Sequence, residues 1–439
     1  MKEEILQSIV LSKNVMNYIA QKSENSFNLT EMFENQTVDG VKSLILETNP
    51  TQTWFYKNLI GSSLLDLINR DNEVTIDNFA SINKRNYLNV EKDLLKMINL
   101  SSDNFGTFYT SSGTDASDKI FKALTKDKDK TLFIKTTREH PCVFENFKRY
   151  ARYDATIDID NIQTRDGKWD IINTEWFNTI TRIINENLNL ENIVLTVIGT
   201  QSDTGDITPS GFIKELQTEI KKLIYDREIR LFSVIDAAQE IFTTNRDYSN
   251  FDIIFGSGFT VFSSKSLGFV IYKKQQDLIK ILTENKLISE DYLDIGHNPY
   301  TLPVLKSCLE QIKNIINTYP DFIYSCANKM DEFAKILEQE YNIKMQRVTF
   351  NPSFKQTSTI YSFTLEGIDL SCYFNNEDKL TFLRQTVFNG KQIVIFRISA
   401  YQLLMSEHRF SLILVWILKL IQDYNKNKDK RNKYFIDMS

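Results

Sequence analysis

Arg230-Leu-Phe-Ser-Val-Ile-Asp-Ala-Ala-Gln239 is a short apolar run, bounded by polar residues, that ends in an acid and an amide. The pattern predicts a buried parallel strand that delivers Asp236 and Gln239 to its carboxyl end. Earlier, Phe108-Tyr-Thr-Ser-Ser-Gly-Thr-Asp-Ala116 is β-prone and breaks at a Ser/Gly/Thr turn. It continues into Asp115-Ala-Ser-Asp-Lys-Ile-Phe-Lys-Ala-Leu124, so it reads as strand, small-residue loop and helix start. The first turn of a helix offers unpaired N–H groups and the positive end of its dipole, a setting that suits an anion such as phosphate.

Outward from these two stretches, apolar runs at 105–110, 131–135, 193–198, 231–235, 253–255 and 267–272 alternate with helical windows such as 174–186 and 212–226. Strands alternating with helices predict a mostly parallel sheet covered on both faces, with ligands at the carboxyl ends of the strands. Residues 1–60 read as an N-terminal helical arm. From Leu59 to Leu100 the pattern is helical again, and 80–87 is expected as a loop interrupting it. Residues 61–300 form the large α/β domain, and 301–439 a smaller C-terminal α+β domain. In the latter, helical windows at 305–317 and 327–341 precede strand-like runs at 359–365, 380–385 and 392–399 and a last helix to about Asp423. The tail at 425–431 is a solvated run of Asn and charged residues.

The chain has 439 residues, 25% charged and 42% hydrophobic, an ordinary globular composition with length for a full core. A net charge of -5 provides no basic footprint, which argues against nucleic acid as a partner. The apolar segment 410–421 is too short to span a bilayer, so no membrane association is expected. Met1-Lys-Glu-Glu-Ile-Leu lacks the apolar core of a signal peptide, and a reducing cytoplasm is the expected location. Cys142, Cys308, Cys326 and Cys372 are scattered, which indicates neither a disulfide framework nor a metal site.

An anion site at one strand end and a carboxylate at another suggest one cofactor, pyridoxal 5′-phosphate (PLP). Taken in order, the landmarks between roughly residues 60 and 400 resemble fold-type-I PLP-dependent enzymes, specifically the class V aminotransferase and cysteine desulfurase (NifS-like) group. The resemblance implies a large domain with a mostly parallel seven-stranded sheet, a small C-terminal α+β domain, and a homodimer with its site at the subunit interface. Thr110-Ser-Ser-Gly-Thr-Asp-Ala116 looks like the family's phosphate loop, in which Ser112, Gly113 and Thr114 hold the phosphate; read alone it is a capped helix start. Arg138-Glu-His-Pro-Cys-Val143 resembles the segment whose histidine, here His140, lies flat on the pyridine ring. The loop Gly199-Thr-Gln-Ser-Asp-Thr-Gly-Asp-Ile-Thr-Pro209 is similar to one that passes beside cofactor and substrate; by itself it is a Gly/Pro turn.

The family's counterpart of Asp236 pairs with the pyridine nitrogen and keeps it protonated, which makes the ring an electron sink. Gln239 is implied to donate to the ring oxygen. The family then reads Ser-Gly-His-Lys where this chain has Ser257-Gly-Phe-Thr260, so Thr260 occupies the position of the imine-forming lysine and Phe259 that of the histidine. Threonine cannot form an imine. Lys265, in the same segment, is available only if the loop is rebuilt, while Ser257 remains available to the phosphate. Gly296-His297 resembles the segment that reaches the neighbouring subunit's phosphate. Phe396-Arg-Ile-Ser399 resembles the strand whose arginine, here Arg397, binds a substrate carboxylate. Cys372 falls in a helical stretch and reads as a packing residue, which disfavours persulfide chemistry. Three functions remain open: a PLP-dependent transferase or lyase acting on an amino-acid-like substrate, a catalytically inactive PLP-fold scaffold or regulator, and a group II amino-acid decarboxylase-like enzyme.

Overall fold

The computed structural model describes residues 76–125, 127–242, 244–257, 267–288, 305, 309, 319–354, 358, 360–373, 383–388, 391–399 and 417–426. They fall into two compact units: one within Phe55–Pro320 and Thr349–Ser358, the other within Asp321–Val348 and Thr359–Ser439. The N-terminal arm and most of the helical window at 305–317 lie outside the described residues.

In the first unit, helix α1 (Ile76–Met97) leads to strand β1 (Phe105–Thr110), helix α2 (Gly113–Leu124), β2 (Thr131–Thr136), α3 (Pro141–Tyr150) and β3 (Tyr153–Ile157). A small hairpin, β4 (Thr164–Arg165) with β5 (Lys168–Trp169), precedes α4 (Glu175–Glu186), β6 (Asn192–Ile198), α5 (Ser210–Leu223), β7 (Arg230–Asp236), β8 (Ile253–Ser257), β9 (Gly268–Lys273) and α6 (Gln276–Glu284). Seven strands form one sheet in the order β1-β9-β8-β7-β6-β2-β3. The pairs β7–β8, β6–β7, β2–β6 and β2–β3 are parallel, and β9 runs antiparallel to both β8 and β1. Six strands therefore bring their carboxyl ends to one edge.

Alternate residues of the central strands are buried on opposite faces, as a doubly covered sheet requires. Ile193, Leu195 and Val197 of β6 join one apolar cluster with Phe212 and Leu216 of α5 and Ile180 of α4. Val194 joins the other with Ile120 and Phe121 of α2 and Phe147 of α3. There the rings of Phe121, Phe133 and Phe147 meet pairwise at centroid distances of 5.9, 5.3 and 4.9 Å.

The loop expected at 80–87 is instead continuous helix within α1. The segment contains neither Gly nor Pro, and polar residues alone do not break a helix. Tyr87, Val90, Leu94, Leu95 and Ile98 then bury at helical spacing.

The second unit contains α7 (Tyr319–Tyr341), β10 (Met345–Arg347), β11 (Ile360–Leu365), β12 (Leu383–Phe388) and β13 (Lys391–Ser399). Its four strands form an antiparallel sheet in the order β10-β11-β13-β12. Phe363 stacks on Phe396 across β11 and β13 with ring centroids 4.9 Å apart. Within the described residues, no helix is long and apolar enough to cross a membrane.

Candidate active site

The carboxyl edge of the seven-stranded sheet gathers most of the residues singled out from the sequence. At the end of β1, Ser112 caps α2, its Oγ accepting the backbone N–H of Asp115 at 3.1 Å. Asp115 in turn accepts the N–H and hydroxyl of Ser111, each at 2.9 Å, and pairs with Lys119 at 3.1 Å. Partial burial opposes its charge, but these partners hold its carboxyl below the ordinary range. The N–H groups of Gly113 and Thr114 open the helix, where no intrahelical acceptor exists for them.

Two glycines fix this loop against its neighbours. A Cβ on Gly113 would come within 3.1 Å of the Ser257 Cβ at the end of β8, so Ser257 stands directly against the α2 N-terminus. A Cβ on Gly268 would overlap the carbonyl oxygen of Ser112 and the hydroxyl of Thr110, its register partner across β1 and β9. Backbone atoms cannot yield as a flexible side chain does. Gly268→Ala is therefore expected to cost about 1–3 kcal/mol of stability by overpacking and to displace the Ser112 loop. Denaturant unfolding checks the first effect and phosphate affinity the second.

At the end of β2, Thr136 leads through Thr137 and Arg138 to Glu139 and His140. His140 caps α3: its Nδ1 accepts the N–H of Cys142 at 3.3 Å and lies 3.0 Å from the Cys142 sulfur. Because Nδ1 is an acceptor there, the proton of the neutral ring sits on Nε2. Burial pushes the Cys142 thiol up to about 12, with the charges of Asp236 and Glu139 adding to the effect. The thiol is thus a packing and hydrogen-bonding group and not a nucleophile.

Asp236 ends β7, level with Ile198 of β6 and Phe255 of β8. Its Oδ1 accepts the N–H of Ala238 at 2.9 Å. Burial raises its pKa above the ordinary value, aided by Glu240, while the Ala238 N–H and the charge of His140 oppose the rise. Glu139 is also enclosed. Its Oε1 accepts the Thr136 hydroxyl at 2.6 Å and the Ile198 N–H at 2.9 Å, and Oε2 has no partner among the described residues. Burial, with Asp236 adding to it, pushes the Glu139 carboxyl up to about 8.

The loop after β6 is closed on itself. Gln201 N–H donates to the Asp206 carbonyl at 2.9 Å, Gly205 N–H to the Gln201 carbonyl at 3.0 Å, and Gly205 takes a positive φ of 80°. Beneath it lies an ion pair that sequence reading missed, Glu240 with Arg246, its side chains 0% and 2% exposed and Arg246 Nε 2.5 Å from Oε1. Arg246 also donates to the carbonyls of Gly199 and Thr208 at 3.1 and 2.8 Å, and Glu240 accepts from Thr200 and Tyr248. Gly199 is where a Cβ would overlap the Glu240 carboxyl.

The structure thus brings Ser112, Gly113, Thr114 and Ser257 together at one part of the edge and His140 and Asp236 at another. Gln239 is half-buried in the turn after Asp236. Arg397 lies in the other unit, half-buried on β13 opposite Ser362. Thr260, Lys265 and His297 lie outside the described residues. Gln201 was not singled out in sequence; it is 4% exposed and its Nε2 has no partner among the described residues. Only its position in the loop after a buried strand pointed to it.

No protein-family model matches this sequence, and no curated protein matches it. Among solved structures it is similar to a NifS-like protein, with 13% identity, a TM-score of 0.59, and coverage of 84% of this chain and 96% of that one. A cysteine desulfurase from Thermococcus onnurineus NA1 aligns with 14% identity and a TM-score of 0.53, covering 78% of this chain and 85% of that chain. The serine palmitoyltransferase of S. paucimobilis, in a structure with PLP and myriocin, aligns with 12% identity and a TM-score of 0.53, covering 77% of each chain. The fold is that of the fold-type-I PLP-dependent transferases.

Proposed function

We propose that this chain binds PLP and acts on an amino-acid-like substrate in the manner of the class V aminotransferases, as a homodimer, without a lysine at position 260. The observation that carries this reading is the convergence of an anion cradle and a buried acid on one sheet edge. Ser257 stands against Gly113 at the start of α2, and Asp236 ends the strand next to β8. Buried polar atoms rarely stay unpaired, and two at this edge, Gln201 Nε2 and Glu139 Oε2, have no partner among the described residues. A polar ligand seated there would supply one.

In this arrangement Ser112, Gly113, Thr114 and Ser257 hold the phosphate through N–H and hydroxyl groups. Asp236 would accept a charge-assisted hydrogen bond from the protonated ring nitrogen and keep it protonated. His140, its Nδ1 committed to Cys142, presents its ring face and its Nε2–H. Bound PLP supplies an electron-withdrawing ring that stabilises negative charge beside an amino group. Gln239, His297 from the neighbouring subunit and Arg397 are assigned to the ring oxygen, the phosphate and a substrate carboxylate, respectively. With no primary amine at 260, phosphate, acid and stacking together hold the cofactor reversibly.

A second reading has one specific observation in its favour: Thr260 itself. On that reading the chain is a scaffold that retains the cradle and has lost turnover.

The deciding experiment is a PLP titration followed by borohydride reduction and peptide mapping. Saturable spectral change without a covalent adduct is the expected result, and turnover of amino acids then separates enzyme from scaffold. An adduct on Lys265 would show that the imine is made from a displaced lysine. No saturable binding would refute both readings.

A further inference from the structure

Glu139 is a buried acid whose two oxygens are treated unequally. Oε1 is occupied by the Thr136 hydroxyl and the Ile198 N–H, which bridge the ends of β2 and β6. Oε2 is buried and meets no donor among the described residues. An ionised carboxylate in that setting would leave half its charge without a hydrogen bond, at a cost comparable to that of any unpaired buried charge.

The neighbouring titratable groups decide where the proton goes. Asp236 lies at the end of β7, with Glu240 beyond it already neutralised by Arg246. His140 and Cys142 lie at the start of α3. Where two buried carboxyls feel each other's charge, the one with the poorer surroundings keeps the proton more readily. Asp236 has the Ala238 N–H as a partner for its charge. The charge of Asp236 opposes the ionisation of Glu139.

We propose that Glu139 is a positioning residue that keeps its proton at neutral pH and so leaves Asp236 as the single ionised carboxylate for the ring nitrogen. The inference rests on reading Asp236 as the ring-nitrogen acid, and the two claims fail separately. The cofactor titration tests Asp236, while Glu139 is tested on the apo protein.

The experiment compares urea unfolding of the wild type and Glu139→Gln across pH. A carboxyl whose folded pKa is raised binds more protons folded than unfolded, so its contribution is fully present below the ordinary carboxylate pKa and is lost as pH rises through about 8. The wild-type midpoint is therefore expected to fall relative to that of Glu139→Gln over this window and to run parallel above it. A constant difference, or a wild type that gains on the variant as pH rises, would overturn the proposal. Should the variant not fold, isotope-edited infrared spectra of wild type carrying labelled glutamate give the same answer. A protonated-acid carbonyl band at neutral pH is expected to disappear above about 8, and at a lower pH in Asp236→Asn. Its absence at neutral pH would refute the assignment.

Discussion

Arg246→Ala is expected to lower the unfolding free energy by about 3–5 kcal/mol, because it leaves a charged partner buried and unpaired. Native domains have about 5–15 kcal/mol in total, so the loss is a large share of the first unit's stability. The reason lies in the number of groups that Arg246 serves. Its guanidinium satisfies both oxygens of Glu240 at 2.5 and 2.9 Å, the carbonyls of Gly199 and Thr208, and Ser210 Oγ at 3.2 Å. Removing it leaves the buried Glu240 carboxylate without its cation and takes a donor from each of two carbonyls, and the loop between β6 and α5 loses its inner tie. Replacing both members by apolar residues of similar size, as in Glu240→Leu with Arg246→Met, is expected to recover much of the loss, since a buried ion pair is itself close to neutral against well-packed hydrocarbon. Denaturant unfolding of the two variants checks this. A loss below about 1 kcal/mol for Arg246→Ala, the scale of a surface pair, would contradict the buried geometry.

Asp236→Ala is expected to weaken PLP binding by roughly 10- to 150-fold, the equivalent of a hydrogen bond to a charged group at about 1.5–3 kcal/mol. The same change is expected to leave the apo fold as stable or more so at neutral pH. Burial raises the pKa of this acid, so its folded-state contribution declines as pH climbs above the ordinary carboxylate range. A site residue that holds charge against desolvation trades stability for binding in this way. Spectral titration and thermal melting of one variant read both arms. Unchanged affinity would refute the assignment of this edge as the cofactor site.

How much of this was legible in the sequence depends on how each feature is encoded. The central strands announce themselves because they are buried on both faces and read as continuous apolar runs; β7 extends only one residue beyond each end of its predicted span, 231–235. Strand β3, Tyr153–Ile157, escaped because it lies at the sheet's edge and leaves Asp154 and Thr156 exposed, so that only two of its five residues are fully buried. The small-residue loop before α2 was legible through its capping chemistry, and Ser112 does cap α2. The Glu240–Arg246 pair was not, since a charged residue in a turn looks the same in sequence whether it faces water or a partner. Gln201 and the unequal surroundings of the two Glu139 oxygens depend on which atoms remain unpaired after folding. Residue order alone does not carry that information.

The glycine contacts at the α2 N-terminus divide labour along the chain. Ser257 presses on Gly113, and Gly268 presses on Ser112, so the stretch between residues 257 and 268 departs from and returns to one fixed mooring. Substitutions between the moorings can change reach and reactivity while the anion cradle keeps its shape. Substitutions at the moorings are felt first by the cradle. On the proposed reading, position 260 lies on a replaceable cartridge between two permanent mounts, so that a lysine there is lost or regained without change at either mount.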